Sequence, residues 1–403
     1  MNARGVGVCI VGSNGAVATT VMAGVELMKK GLSPRLGMVS ESLQELLQLA
    51  PLEEIQFGGW DLRADNAYEA ARSHRVLPPH LLEEVKEELS AIRPWPTVAS
   101  SDFLHEMPGK HLLRAGSFRE ELALLAEQVR AFQRARGLER MVIVNLGSTE
   151  RFCELADVHR TVDAFEAGLD ASDARISPAM KFLHLACRSG IPHCNFTPSR
   201  SNVPALTTLA QQRGVPIAGE DGKTGQTMIK TALAPAFLVR QLEVEGWFST
   251  NILGNNDGKV LNDPASNKTK VLSKKSVLED ILGYRVSDHQ VHIHYYPPRG
   301  DAKEAWDNID LIGFLGERMQ LKLNFLCKDS ILAAPLVVDL VRLIDRAHRH
   351  GDRGIQRQLS VFFKSPYHSE GERPEHDLFK QNELLMSWAR AVAAAQVPRQ
   401  KIA

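Results

Sequence analysis

The stretch from Val6 to Lys29 limits the fold more than any other part of the chain. Val6 to Val11 is an apolar run with β-branched residues, closed by Gly12-Ser13-Asn14-Gly15. Ala16 to Lys29 then places Val17, Val21, Val25 and Met28 at helical spacing, with Gly31 behind them. Leu36 to Val39 reads as a second strand. Strand, glycine turn, helix, strand is the opening of a Rossmann-type α/β unit. The helix N-terminus offers free N–H groups and partial positive charge, so Gly12, Ser13, Asn14 and Gly15 are candidates to hold a dinucleotide pyrophosphate. The full G-x-G-x-x-G spacing is absent, and an ordinary strand–helix turn is the competing reading.

The chain has 403 residues, enough for two domains or one large domain with an insertion. Lys plus Arg and Asp plus Glu both number 48, so nothing argues for nucleic acid or an anionic membrane surface. The apolar run near Ile331 to Ile344 is broken by Pro335, Asp339 and Arg342, which excludes it as a membrane span. Five scattered cysteines without a CxxC pair argue against a disulfide framework or zinc site and fit a reducing cytoplasm. The N-terminus lacks a signal-like apolar region, which also points to the cytoplasm. No His, Asp and Glu spacing selects a metal.

Further along, Leu81 to Ile92 and Arg119 to Gln133 read as helices, the second with Ser117 as N-cap. Met141 to Val144 is a buried strand ending in Asn145-Leu146-Gly147-Ser148-Thr149. Ala179 to Arg188 is helical, and Pro192 to Phe196 is a strand end leading to Thr197, a candidate cofactor-binding residue at the ligand edge of the sheet that could equally cap a helix. The character changes after Val215: Phe248, Ile252, Val291, Ile293 and Tyr295 suggest paired strands, with another at Gln320 to Phe325. The expected division is a Rossmann-like domain over 1–220 and 330–403, with an inserted α+β domain over 221–329. Ser330 to His348 is a long helix, 350–379 is loop-like, and Gln381 to Ala395 is a closing helix.

The chemistry-bearing residues cluster. Gly58-Gly59-Trp60-Asp61 puts a carboxylate where it can accept both ribose hydroxyls of an adenosine, favouring NAD over NADP. Gly147, Ser148 and Thr149 lie at a strand's C-terminal end, the ligand edge of open α/β sheets, although Ser148 or Thr149 could equally cap a helix. Between Gly219 and Lys303, glycine turns carry amides, carboxylates and lysines at high density. Lys270 and Lys274, four apart, would share one helix face and repel unless an anion such as phosphate sits between them; a solvated basic face is the plainer alternative. Asn255-Asn256-Asp257 and Gly300-Asp301 supply hydroxyl-binding groups nearby.

At these residues the chain resembles the inositol-phosphate synthase family. The pieces that carry the resemblance are Phe57-Gly58-Gly59-Trp60-Asp61, Ser148-Thr149-Glu150-Arg151, Gly225-Gln226-Thr227, Leu253 to Gly258, Ser273-Lys274 with Lys270, Gly300-Asp301-Ala302-Lys303, and Asp329-Ser330 to Pro335. The resemblance implies an NAD-binding domain, a catalytic domain that tetramerises, and conversion of glucose 6-phosphate to a myo-inositol phosphate. It implies catalytic roles for Lys270, Lys274, Lys380 and Asp301. Asp221, Thr224, Asn255, Asn256, Asp257, Asp301, Ala302, Asp329 and Ser330 fall on cofactor- or substrate-holding positions.

Two positions depart from the pattern. The glycine turn is shorter than the family's, and His294 stands where the family carries an active-site lysine. A histidine is shorter, with an ordinary pKa of about 6.5, and can relay a proton but is a weaker permanent counter-charge. The alternatives are a related cyclase acting on another hexose 6-phosphate such as fructose 6-phosphate, an NAD-binding sensor without turnover, and a plain dehydrogenase with net NADH release.

Overall fold

The structure is a computed structural model that describes residues 5–104, 107–255 and 277–396. Its first sheet has six strands, β1 (Val6–Val11), β2 (Ile55–Trp60), β3 (Arg140–Asn145), β4 (His193–Asn195), β5 (Pro216–Gly219) and β10 (Gly354–Ile355). They lie in the order β10-β5-β4-β3-β1-β2, every pair parallel. A parallel sheet is covered on both faces, which is why β1 is an unbroken buried run. Val6, Val8 and Ile10 pack with the helices α1 (Ala16–Lys29) and α6 (Asp329–His350). Cys9 and Val11 pack on the opposite side with α3 (Phe118–Arg136) and α4 (Pro178–Ser189). The fold is thus Rossmann-like, with its switch point where β2 and β3 flank β1.

The second sheet has β6 (Glu243–Leu253), β7 (Asp288–Tyr295), β8 (Ala302–Ile312) and β9 (Arg318–Lys328) in the order β7-β6-β8-β9. Alternation sorts its faces. Trp247, Ser249, Asn251 and Leu253 point inward and are buried; Trp247 packs with α5 (Gln226–Val239) and with Leu278 and Leu282 of the helix over 277–282. The other face carries Phe248, His292 and Trp306 in ring contact, with Trp306 and Leu326 exposed. No helix of the described residues is long and apolar enough to cross a membrane.

Three readings need correction. Leu36 to Val39 is not a strand: Leu36 is 82% exposed, Gly37 has φ +81°, and Val39 begins α2 (Val39–Leu47). The strand beside β1 is β2. Leu81 to Ile92 is two short helices, Pro79–Glu83 and Lys86–Ser90. The loop-like stretch after His350 contains β10, the sixth strand of the first sheet, and a 3-10 turn over Arg357–Phe362.

Helix α2 starts without a capping side chain of its own. Instead Asp339, fully buried on α6, accepts from Val39 N at 2.8 Å and Ser40 N at 2.9 Å. Three residues on, Arg342 donates to Ala50 O at 3.0 Å and to Ser40 Oγ at 2.6 Å. A cap supplied from another helix ties that helix's start to it. Asp339→Ala is expected to lose about 1–3 kcal/mol, read as a lower urea midpoint, with helix content at zero denaturant nearly unchanged.

Candidate active site

The loops after β1, β2 and β3 meet at one cleft. Gly12 N and Ser13 N both donate to Trp60 O, at 2.8 and 3.0 Å, so the turn after β1 is moulded on the end of β2. Gly12 has φ +78°, and a Cβ there would fall 2.8 Å from Gly147 Cα. That close approach brings the β1 and β3 loops together. Asp61 locks the arrangement: Oδ2 accepts from Asn14 N at 2.8 Å and Oδ1 from Arg63 N at 2.9 Å. Burial raises its pKa, and these two N–H groups oppose the rise. Each oxygen keeps a second lone pair. The cleft encloses about 220 Å³, and its lining includes Gly12, Asn14, Gly15, Asp61, Gly147 and Ser148.

Its far wall comes from the second sheet. Asn255, Asp301, Asp329 and Ser330 line it. Asp301 Oδ1 accepts from Ser330 Oγ at 2.8 Å and Asn255 Nδ2 at 3.2 Å, and Oδ2 accepts from Ser330 N at 3.2 Å. Asp329 Oδ1 accepts from Thr224 Oγ1 at 3.1 Å and pairs with Lys303 Nζ at 3.3 Å. Burial works against the Lys303 charge, yet Asp329 carries its pKa above the ordinary value.

A second ion pair, this one buried, lies behind the ends of β4 and β5. Asp221, at φ +60°, donates its N–H to Thr197 O at 3.1 Å and pairs through Oδ1 with Lys364 Nζ at 2.8 Å. Thr197 is buried, with its hydroxyl donating to Asn195 Oδ1 at 3.0 Å.

The structure therefore brings together Gly12, Asn14, Gly15, Asp61, Gly147, Ser148, Asn255, Asp301, Asp329 and Ser330. Thr224 joins them through Asp329. Ser13 is buried within the turn, Thr149 follows Ser148, and Ala302 begins β8. Thr197 and Asp221 belong to the Lys364 pair. Lys270, Lys274, Asn256 and Asp257 lie outside the described residues.

Two expected residues are not brought to the cleft. Lys380 is 70% exposed and sits 3.8 Å from Glu375. On α7 (Leu378–Gln396) it is Gln381, Leu385, Ala389 and Val392 that face inward, which leaves Lys380 outside. His294 is on the outward face of β7, its ring stacked 6.3 Å from that of His292. Local sequence does not mark Lys364, which lies in a stretch rich in Gly and Pro, and it assigns no role to Lys303 or Glu150, although both lie in the motifs above. Among the described residues no group of three His, Cys, Asp or Glu side chains could hold a metal ion.

The family model described as myo-inositol-1-phosphate synthase, an NAD-binding family, matches residues 6–390. The chain belongs to the myo-inositol-1-phosphate synthase family. Inositol-3-phosphate synthase 1 of Bacteroides thetaiotaomicron is 42% identical over 97% of this chain and 96% of its own length. Its namesake from Oryza sativa is 28% identical over 96% of this chain and 85% of its own. Among solved structures, inositol-3-phosphate synthase of Caenorhabditis elegans superposes with a TM-score of 0.90 at 24% identity, over 97% of this chain and 86% of that one, which establishes the fold. A myo-inositol-1-phosphate synthase-related protein from Thermotoga maritima gives 0.76 at 25% identity, over 96% of this chain and 98% of its own.

The cleft fits the NAD of this family. Helix α1 starts at Gly15 with no capping side chain and no acidic residue in its first turn, so its N–H groups stay available to an anion. The glycine at 12 keeps the approach clear, and Asp61 can accept ribose hydroxyls.

Glu150 is a further wall of this family's cleft. Its Oε1 accepts from Ala179 N at 2.9 Å, at the start of α4. Burial pushes its carboxyl up from 4.5 to about 7, against the pull of Ser177, Ala179 N–H and Lys181. Between those values the native state holds a proton that the unfolded chain has released, so this group makes stability fall as pH rises through the window. Glu150→Gln removes that dependence. Without added ligand, the melting temperature of the variant relative to wild type is expected to rise between about pH 4.5 and about pH 7.

Proposed function

We propose that the protein converts glucose 6-phosphate to a myo-inositol phosphate as an NAD-dependent isomerase, within the cytoplasm. The observation that carries this reading is one cleft whose near wall suits a dinucleotide and whose far wall sets carboxylates, an amide and a hydroxyl, with Lys303 paired to Asp329, where a polyhydroxyl substrate would sit. The unpaired thiols Cys9, Cys187 and Cys194, all buried, fit a reducing compartment. We assign NAD binding to 1–220 with 330–403, and catalysis with assembly to 221–329.

NAD supplies the oxidation of the C5 hydroxyl and the final reduction, so no net NADH accumulates. The C5 ketone acidifies C6; loss of that proton gives an enolate, which attacks the C1 aldehyde and closes the ring. The enolate, and the alkoxide that its attack leaves on the former aldehyde oxygen, carry negative charge that fixed cations stabilise. Lys364, buried, and Lys303, part-buried, each beside a carboxylate, are the described lysines we assign to that task, with Lys270 and Lys274 as further candidates. Asp301 and Asn255 orient the substrate edge next to the cofactor.

We also propose that the outward face of the second sheet joins subunits of a homotetramer. Trp306 and Leu326 are 44% and 59% exposed on that face, a costly display for an unpartnered sheet. Trp306→Lys is expected to shift light-scattering mass toward smaller species.

Incubation with glucose 6-phosphate and NAD, followed by phosphorus NMR and NADH absorbance, tests the reaction. An inositol phosphate product without steady-state NADH is expected; net NADH would mean a dehydrogenase. Lys364→Met is expected to lower kcat on the order of a hundredfold or more with NAD affinity retained, whereas Lys380→Met keeps wild-type turnover.

A further inference from the structure

The loop between β2 and the helix Ala67–His74 carries an arginine beside the carboxylate assigned to the ribose. Arg63 stands two residues after Asp61 and lines the same cleft. Its backbone N–H donates to Asp61 Oδ1 at 2.9 Å. Its positive charge is felt at the Asp61 carboxyl, where it opposes the rise in pKa that burial causes. The guanidinium itself is taken up by Asp65: Nε and Nη2 both donate to Oδ2, at 2.9 and 2.6 Å.

The backbone under this pair is fixed. Asn14 Nδ2 donates to Arg63 O at 3.2 Å and to Asp65 O at 2.8 Å, which ties the loop to the turn after β1. Leu62 O accepts from His111 N at 3.0 Å, and a Cβ on Gly109 would fall 1.9 Å from that same oxygen, so a further stretch of chain lies against the loop. Asn66 then caps the next helix, its side chain accepting from Glu69 N at 2.9 Å. With the main chain held at these points, what the loop can still change is which anion the Arg63 side chain faces.

The Arg63 and Asp65 side chains are 27% and 45% exposed. An ion pair this open to water adds little to stability, so its consequence is local: it decides what the guanidinium can bind. In dinucleotide sites an acidic residue near the end of an early strand accepts the ribose hydroxyls, whereas an arginine nearby receives the 2′-phosphate of NADP. This loop carries both. His74 also lines the cleft, but its Nε2 donates to Asn14 O at 2.7 Å.

We infer that Asp65 is a positioning residue for cofactor selectivity: by holding the Arg63 guanidinium it withholds the loop's cation from a 2′-phosphate, so that NADP is refused by Asp61 directly and by Asp65 through Arg63. This rests on the placing of the NAD ribose at Asp61 and adds a second, separable element to it. A 2′-phosphate approaching the wild-type loop meets two carboxylates and a guanidinium already paired. Without Asp65 it meets one carboxylate and a guanidinium able to form two-pronged, charge-assisted bonds. The uncharged 2′-hydroxyl of NAD gains nothing comparable, so the effect falls on the ratio of the two affinities.

The quantity to read is the dissociation constant for NADP+ over that for NAD+. It is measured by calorimetry on protein freed of nucleotide, for wild type, Asp65→Ala, Arg63→Met and the double variant. Asp65→Ala is expected to lower the ratio about tenfold or more. In the Arg63→Met background the same substitution is expected to change it about threefold or less, because only screened repulsion is then removed. A merely structural role for Asp65 would weaken both cofactors together and leave the ratio in place. Should Asp65→Ala fold poorly, Asp65→Asn keeps the shape, removes the charge, and is expected to lower the ratio about threefold or more. An unchanged ratio in folded Asp65→Ala or Asp65→Asn, or an equal drop with and without Arg63, overturns the inference and leaves the ribose placement standing. Absence of NAD+ binding by the wild type overturns that placement and the inference with it.

Discussion

The carboxylate of Asp301 is the joint on which the two sheets and the cleft depend. It stands at the start of β8, yet its oxygens take the hydroxyl and N–H of Ser330 at the start of α6. Helix α6 has no capping side chain of its own there, so its first turn is satisfied from the second sheet. The same carboxylate holds Asn255 at the end of β6. Ten residues along α6, Asp339 does for α2 what Asp301 does for α6. One long helix thus carries position from the second sheet to the far side of the first. Burial raises the Asp301 pKa, and Ser330 and Asn255 oppose the rise by bonding the charged form.

Much of this arrangement is legible in the sequence, because it is local. Strand β1, its turn and α1 occupy adjacent residues whose apolar spacing switches from a continuous run to a helical period. Ser117 is an N-cap by composition and is one in the structure, accepting from Glu120 N at 3.2 Å. Gly12, Asp61, Gly147 and Asp301 are marked by glycine turns at strand ends, where α/β sheets keep their ligands.

What escaped the sequence is non-local. Lys364 follows a short 3-10 turn in a stretch rich in Gly and Pro, and its burial comes from pairing with Asp221, 143 residues earlier. Lys380 has the better local context, on a helix beside an apolar face, but one residue of offset turns it about 100° away from that face. Leu36 to Val39 has strand-like composition, yet a cap delivered from Asp339, some 300 residues on, starts a helix there. In each case the deciding partner is distant in sequence, and periodicity carries no information about it.

The lysines of the interior meet different partners. Lys303 and Lys364 each face a carboxylate, and Asp329 holds the first above its ordinary pKa despite burial. Lys223 and Lys230 instead meet an amide and an imidazole, Gln381 and His289. Without a carboxylate in contact, burial wins, and their pKa values fall to about 7 and about 8. Desolvation disfavours the charged form of a buried lysine: beside Asp329 the Lys303 charge still prevails, whereas Lys181, 2.7 Å from Glu121, has its pKa lowered. Ring closure through an enolate needs cations that stay charged while negative charge develops, a requirement that Lys303 meets. Lys230 lies over the Trp247 ring behind the second sheet, where it feels the Asp307 charge, while Lys223 packs against the closing helix through Gln381.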